Sequence, residues 1–440
     1  MDKYIILPGC DDGNRGDQAL VWETKRIAEN AGFVGEFSML CAPDDLIHSK
    51  EEGINTLDPI LGHPSRKFKN KDNSKYTFLL LLKWGSVAIG DWIGSSLIHN
   101  AFTRKLIYPF LSSETNKTLK AFKECKACFV KGGGFIHSYG KITDIYTMYY
   151  FLYHIRLANA LQKPVYIMPN SFGPFIAPTV KKQVKKTLSQ CRLVTTRESV
   201  SSKMLSDIGI NNQIFPDLAF GLKKNTIDVF ELQEVKNLAG NRSLIGVTAR
   251  PYRFPNCENS DEKYKNYVYS LGQFCNWLFN NGYFPVLIEH VLSNNTNEKD
   301  IKGIEDVANY LKEQEYYILS NKKYNCRDLK YIYSQMDAVI GTRFHSVIFS
   351  LSENVPCLAI TYGGNKGIGI MSDIGLDEYS IAIEDVTFEE LKSKFALLTE
   401  NLDEYKTKLA SHVQISKQAI QELEVQLTNQ RKEENVIAKS

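Results

Sequence analysis

Short apolar runs alternate with amphipathic stretches along most of this chain, and that alternation predicts the fold class. Tyr4 to Leu7 reads as a strand, the loop from Pro8 to Asp17 follows, and Gln18 to Asn30 reads as a helix that stops before Gly32. Ala127 to Val130, then Gly132-Gly-Gly134, then an aromatic-rich helix from about Thr143 to Leu161 repeat the order of strand, loop and helix. Pro164 to Met168 gives another strand, and Cys191 to Thr195 with a helix from Ser199 to Ile208 repeats the unit again. Strands that alternate with helices in this way build parallel, doubly wound α/β domains.

A second series follows. Ser243 to Ala249, Phe284 to Glu289, Tyr316 to Leu319, Ala338 to Ile340 and Val355 to Ile360 read as strands, with helices over Tyr264 to Asn280, Ile301 to Lys312, Asn325 to Ser334 and from Arg343. The pattern divides the chain into an N-terminal domain over 1–220, a linker over 221–241, a second domain over 242–385, and a C-terminal helix with a polar tail over 386–440.

One stretch breaks the pattern. Phe78-Leu-Leu-Leu-Leu82 and mixed apolar residues through Trp84, Trp92, Ile98 and Phe102 to Leu111 form a hydrophobic insertion over about 76–111, interrupted by Lys83, Asp91 and His99. No run in it is long enough to span a bilayer. Its flanks are basic, with Arg66, Lys67, Lys69, Lys71 and Lys75 before it and Arg104 and Lys105 after. Two readings stand: a helical hairpin packed on its own domain or on a second copy, and a peripheral membrane contact.

The candidate chemistry is concentrated in Ala338 to Ile360. Gly341 and Thr342 offer a turn and a helix cap, which puts Arg343 and His345 on the first turn of a helix at the carboxyl edge of a parallel sheet. Free N–H groups and the positive end of the helix dipole favour anions there, and open α/β sheets bind ligands at that edge. The plainer reading is an arginine capping a loop beside a packed histidine. Arg250, Glu289 and His290 close other strands and are placed at the same edge. In Gly13-Asn-Arg-Gly-Asp17, Asp17 is expected to cap the helix at Gln18, with Asn14 and Arg15 turned into the cleft. Gly132-Gly-Gly134 is either a tight strand-to-helix turn or a place of close approach to a ligand.

Composition narrows the function classes. The chain has 440 residues, 43% hydrophobic and 23% charged, enough for two domains with ordinary cores. A net charge of +3 is too small to mark a nucleic-acid binder. Neither a dinucleotide fingerprint nor a P-loop is present, which argues against a redox cofactor or NTPase chemistry. Of nine cysteines only Cys125 and Cys128 have C-x-x-C spacing, with no second pair to complete a zinc site. Free thiols and an N-terminus without a signal-peptide pattern lead to the expectation of a cytoplasmic protein.

Gly341-Thr-Arg-Phe-His345, Asn354-Val-Pro356, Ile360-Thr-Tyr362, Lys366 and Asp373-Ile-Gly-Leu376 resemble the C-terminal signature of the polysaccharide pyruvyl transferase family. Gly13 to Asp17, Gly132 to Gly134, Ser171 to Pro174, Thr196 to Ser199 and Phe215 to Phe220 agree with it in order, so the resemblance spans roughly residues 1 to 385. It implies two Rossmann-like domains facing one cleft, the GT-B-like arrangement, and transfer of pyruvyl from phosphoenolpyruvate onto two hydroxyls of a sugar. On that basis His345 and Arg343 are assigned catalysis. Donor binding falls to Arg343, Arg250, Lys366, Thr342 and His290, and acceptor binding to Asn14, Asp17, Gly133 and Gly134. No metal or cofactor is required; the expected partners are phosphoenolpyruvate and a lipid-linked sugar met at the inner face of the cytoplasmic membrane, and no nucleic acid. The alternatives are a GT-B glycosyltransferase using a nucleotide sugar and a non-catalytic carbohydrate-binding protein on the same fold.

Overall fold

The computed structural model describes residues 1–8, 11–41, 51–62, 78–141, 143–255, 257–292, 299–362 and 365–437, without the side chains of 78–81, 365–368 and 435–437. The basic run from Arg66 to Lys75 lies outside the described residues, and of Lys366 only the helical backbone is described.

Two parallel sheets organise the chain. The first contains β1 (Asp2–Leu7), β2 (Gly35–Leu40), β3 (Ile54–Leu57), β4 (Ala127–Val130), β5 (Gly133–Ser138), β6 (Val165–Phe175), β7 (Leu193–Thr196) and β8 (Gln213–Ile214), in the order β3-β2-β1-β4-β6-β7-β8 with β5 beside β6. The second contains β9 (Ser243–Val247), β10 (Tyr283–Ile288), β11 (Tyr317–Leu319), β12 (Ala338–Gly341), β13 (Cys357–Thr361) and β14 (Ser380–Ala382), in the order β11-β10-β9-β12-β13-β14. In both, the chain winds outward from the first strand, returns, and winds out the other way. The loops after β1 and β4, and after β9 and β12, therefore diverge at a switch point and leave a crevice.

Burial on both faces explains the near-continuous apolar strands. Along β1, Tyr4 and Ile6 enter one core while Ile5 and Leu7 enter the other. The two α/β domains match the expected architecture, with local differences. Gly132-Gly-Gly134 does not turn into a helix. It leads into β5, because β6 runs on to Phe175 and offers a second partner, pairing Asn170 with Gly133 and Phe172 with Ile136. The first helix is Arg15–Asn30, capped by Asn14 rather than by Asp17. The stretch read as a linker holds the helix Phe230–Ala239, whose Leu232, Val235 and Ala239 are buried.

The last helix, Leu402–Ile437, lies in the stretch expected to hold a C-terminal helix and a polar tail, and it ties the domains together. Near its start the Tyr405 hydroxyl donates to the Cys357 carbonyl (2.9 Å) and accepts from the Cys357 N–H (3.0 Å) in the second domain. About 28 Å further along at the standard rise, Glu424 accepts from Arg26 (2.8 Å) and Arg431 donates to the Ala31 carbonyl (3.1 Å) in the first.

The hydrophobic insertion forms the helices Phe78–His99 and Ala101–Ile107, turned at Asn100, whose side chain accepts from the Phe102 N–H. One side of this hairpin packs on the helix Asp144–Ala160: the Tyr146 hydroxyl donates to Asp91 (2.6 Å) and Ser95 meets Tyr149 (2.6 Å). Among the described residues no helix is long and apolar enough to cross a membrane.

Two histidines, His99 at the end of the hairpin's first helix and His154 on the helix it packs against, are held neutral. Burial, then the charge of His99, pushes His154 down to about 3. Burial, then Arg156, pushes His99 down to about 4. His154 Nε2 accepts the Ile60 N–H (3.2 Å), which a protonated ring cannot do. The unfolded chain binds these protons near pH 6.5 and the folded chain does not, so stability falls as pH drops from 6.5 toward 4. Each histidine is expected to cost about 1.4 kcal/mol per pH unit in that window. Urea unfolding at pH 7 and pH 5 measures the slope, and His154→Phe is expected to flatten it; an unchanged slope would remove His154 from the account.

Candidate active site

A cleft of about 380 Å³ opens between the carboxyl ends of the two sheets. Asn14, Asp17, Lys131, Gly133 and Gly134 line it from the first domain, and Phe344, His345, Thr361 and Tyr362 from the second. These residues come from the carboxyl ends of strands at and beside both switch points, which is where the winding order favours a ligand site.

The segment Gly13 to Asp17 acts mostly through what it lacks. A Cβ on Gly13 would lie 2.0 Å from the Leu292 carbonyl oxygen, and one on Gly16 would lie 2.1 Å from His345 Nδ1. The bare backbone lets the first domain press against the second, where Leu292 N–H donates to the Gly13 carbonyl (2.8 Å) and Asn14 bridges Val291. The Asn14 side chain caps the helix and donates to Asp17 (2.8 Å), and Asp17 pairs with the buried Lys131. Arg15, expected in the cleft, is wholly buried instead and donates to the carbonyls of Asp12 (3.0 Å) and Asn321 (3.2 Å).

His345 sits on the first turn of the helix Phe344–Leu351, whose first N–H groups have no acceptor within the helix. Its Nε2 is buried, 3.7 Å from Asp217 Oδ2. That distance is too long for a hydrogen bond, and on the other side of the ring Nδ1 packs against Gly16. Burial alone would raise the Asp217 pKa; His345 and Arg197, with the Ala219 N–H, outweigh it and hold the group below the usual carboxylate range. Arg197 also lines the cleft. It donates through Nη1 to Asp217 (2.6 Å) and through Nε to Ser171 (2.7 Å), and its guanidinium lies 4.3 Å from the centre of the Phe344 ring. Ser171 in turn donates to the buried Glu198 (2.8 Å).

The residues expected to hold a donor are placed differently. Arg343 is the N-cap rather than a first-turn residue, and it grips the wholly buried Asp300 through Nε (2.8 Å) and Nη2 (2.6 Å). Asp300 also accepts from the N–H groups of His290 (3.2 Å) and Val291 (2.9 Å), which makes Arg343 a clamp on the β10 loop. Thr342 does not cap the helix; its hydroxyl donates to the Thr248 carbonyl and stitches β12 to β9. Glu289 and His290, expected to face the cleft, are buried behind it. His290 Nδ1 meets the Tyr333 hydroxyl (3.1 Å), and burial, reinforced by His345, Arg343 and Arg15, keeps the ring neutral. Arg250 stacks 4.3 Å from the centre of the Tyr362 ring, behind the cleft wall.

Lys131, Arg197 and Asp217 had not been assigned roles from sequence. Arg197 directly follows β7 and Asp217 lies three residues past β8, so the carboxyl-edge rule applied to Arg343 would have marked them too. Phe135, Tyr150 and Phe151 complete an aromatic wall. Among the described residues no three His, Cys, Asp or Glu side chains are grouped to hold a metal.

The model of the polysaccharide pyruvyl transferase family matches residues 14–364, which include most of this lining. The chain belongs to the polysaccharide pyruvyl transferase family. This pyruvyl transferase relative is 25% identical over 322 residues to the amylovoran biosynthesis protein AmsJ of Erwinia amylovora, covering 72% of this chain and 74% of that protein. Its fold is similar to Alr3699/HepE of Anabaena, solved with UDP and glucose, at a TM-score of 0.55, 10% identity and coverage of 99% and 100% of the two chains. It is also similar to the α,α-trehalose 6-phosphate synthase of Burkholderia multivorans, at a TM-score of 0.51, 10% identity and coverage of 100% and 99%. At such identity the likeness establishes the GT-B-like fold alone.

The contact of His345 with Gly16 gives a direct test. Gly16→Ala is expected to fold, since the helix gains a better former, but to push the imidazole aside and lower turnover about a hundredfold. Steady-state rates and the melting temperature of the variant decide it. Full turnover in a folded Gly16→Ala protein would show that the ring position is unimportant.

Proposed function

We propose that this family member transfers pyruvyl from phosphoenolpyruvate onto two hydroxyls of a sugar, forming a cyclic ketal during synthesis of a cell-surface polysaccharide. The observation that carries the reading is His345, fixed between Gly16 and Asp217 on a helix N-terminus and beside the guanidinium of Arg197. The donor carries a phosphate and a carboxylate, and it calls for a guanidinium fork, an ammonium and free N–H groups on one side of a cleft. We assign its anionic groups to Arg197, Lys131 and the first turn at Phe344 and His345. Arg343 acts as a positioning residue through Asp300.

In the reaction, C3 of phosphoenolpyruvate gains a proton while the first sugar hydroxyl adds to C2 and gives up its own. The second hydroxyl then displaces phosphate from C2 and its proton leaves on the phosphate, giving the ketal and inorganic phosphate with no change of oxidation state overall. His345 supplies the proton to C3 and then accepts one from a hydroxyl, and Asp217 steadies the imidazolium before the first transfer and after the second. The scheme needs no cofactor. Phe135, Tyr150 and Phe151 offer the acceptor ring an apolar face, while Asn14 and Asp17 offer its hydroxyls polar partners. A lipid-linked precursor on the cytoplasmic membrane face is the acceptor we favour.

His345→Gln is expected to keep phosphoenolpyruvate binding while losing turnover by about a hundredfold or more. Arg197→Lys keeps the charge but not the fork, and is expected to weaken donor binding by at least about tenfold. Calorimetry with phosphoenolpyruvate and phosphate release with galactoside acceptors measure the two effects. Transfer from a nucleotide sugar, with phosphoenolpyruvate left intact, would overturn the reading.

A further inference from the structure

The first domain carries an apolar face that its own core leaves uncovered. On the hairpin and the turn after it, Leu82, Ile89, Trp92, Phe102, Leu106 and Phe110 are each more than half exposed, Phe110 at 87%. A helix on a water-facing surface normally turns polar side chains outward, and contiguous exposed apolar surface marks an interaction site. The inward side is already used, since Asp91, Ser95 and Ile98 anchor the hairpin to its domain. Between the hairpin and the helix Asp144–Ala160 runs a groove of about 570 Å³, lined by Ile89, Trp92, Ile145, Tyr146 and Tyr149, with Arg156 as its charged residue.

The charge around this face is mostly basic. Lys83, Arg104 and Lys105 lie on the hairpin, and Lys117, Lys120 and Lys123 on the helix Ser113–Glu124 that follows. The acidic residues of the same stretch are fewer, and two of them are engaged: Asp91 accepts from Tyr146 (2.6 Å) and Glu124 from Lys3 (2.7 Å). A second copy docked about a twofold axis would bring this basic surface onto itself. A bilayer with anionic headgroups complements both the charge and the apolar side chains, and exposed Trp and Phe flanked by Lys and Arg are the residues of a membrane interface.

We propose that this hairpin face docks the protein on the surface of an anionic lipid bilayer, peripherally and without spanning it. The helix Asp144–Ala160 lies between the docking face and the cleft, with Tyr149 on the groove side and Tyr150 and Phe151 on the cleft side. The groove and the cleft therefore lie on opposite sides of one helix, roughly 10 Å across, an arrangement that suits a sugar carried on a lipid. That last relation rests on the function proposed above; the docking itself does not.

Flotation of the full-length protein with phosphatidylcholine vesicles, with and without phosphatidylglycerol, tests the proposal independently of turnover. Binding is expected with phosphatidylglycerol at low salt, weaker at high salt, and weakest with phosphatidylcholine alone. The double variant Trp92→Ser with Phe102→Ser, and separately Lys105→Glu, are each expected to lower partitioning by at least about tenfold with melting temperature unchanged. These exposed positions lie outside the cleft, so turnover on a water-soluble acceptor is expected to persist. The proposal fails if the wild-type protein does not float with anionic vesicles, or if sedimentation shows a dimer that the double variant converts to monomer while flotation is unaffected. Loss of the enzymatic reading would leave the flotation result standing.

Discussion

The close approach of the two domains at Gly13 and Gly16 is the constraint from which the site follows. Two residues without Cβ atoms let one helix start meet another, with a carbonyl of the second domain in van der Waals contact on one side and an imidazole on the other. At Gly13 the obstacle is backbone, which a densely packed interior cannot shift for an added methyl group, whereas at Gly16 it is the His345 side chain, which has to move. The cleft is therefore not simply a gap between two domains. Its floor is a junction fixed by backbone, and the long C-terminal helix, bonded to both domains at points far apart along its length, holds that junction from behind.

Charge in the cleft is arranged in pairs. Asp17, which is partly exposed, meets the buried Lys131, while Asp217 with Arg197, and Asp300 with Arg343 behind the cleft, place a carboxylate against a cation where water is largely excluded. Breaking one such pair leaves an uncompensated buried charge, at a cost of about 3–5 kcal/mol. The pairs thus fix geometry as much as they supply charge. Asp217 serves two partners, Arg197 by a short hydrogen bond and His345 by proximity, and so couples the anion-binding side of the cleft to the proton-transferring side. Segments scattered through the sequence, Ser171, Arg197-Glu198 and Asp217, become one network leading to His345.

The hairpin stands apart from this logic. Its inward residues satisfy local needs, while its outward residues break the rule that a free helix face is polar. A domain does not keep that much apolar surface for its own stability, since nothing in its core is covered by it. The helix Asp144–Ala160 serves both regions, one side building the aromatic wall of the cleft and the other the groove beneath the hairpin.

The sequence by itself determined the two parallel α/β domains, because buried parallel strands must be apolar throughout and crossover helices must be amphipathic. It also determined the importance of the helix that begins after Gly341-Thr-Arg343, because a carboxyl-edge helix start is an anion site on any such sheet. What it did not determine is where individual polar side chains point. Arg343 and Thr342 looked like ligands by position, yet each is committed to a neighbour far away in sequence, Asp300 and Thr248. Arg197 and Asp217 lay in segments that resembled the family but were given no role, and they meet in the cleft. Long polar side chains reach several ångströms in several directions, so period and spacing place the backbone but not the charge. The strand after Gly134 and the helix capped at Asn14 were likewise decided by partners brought near only when the chain folds.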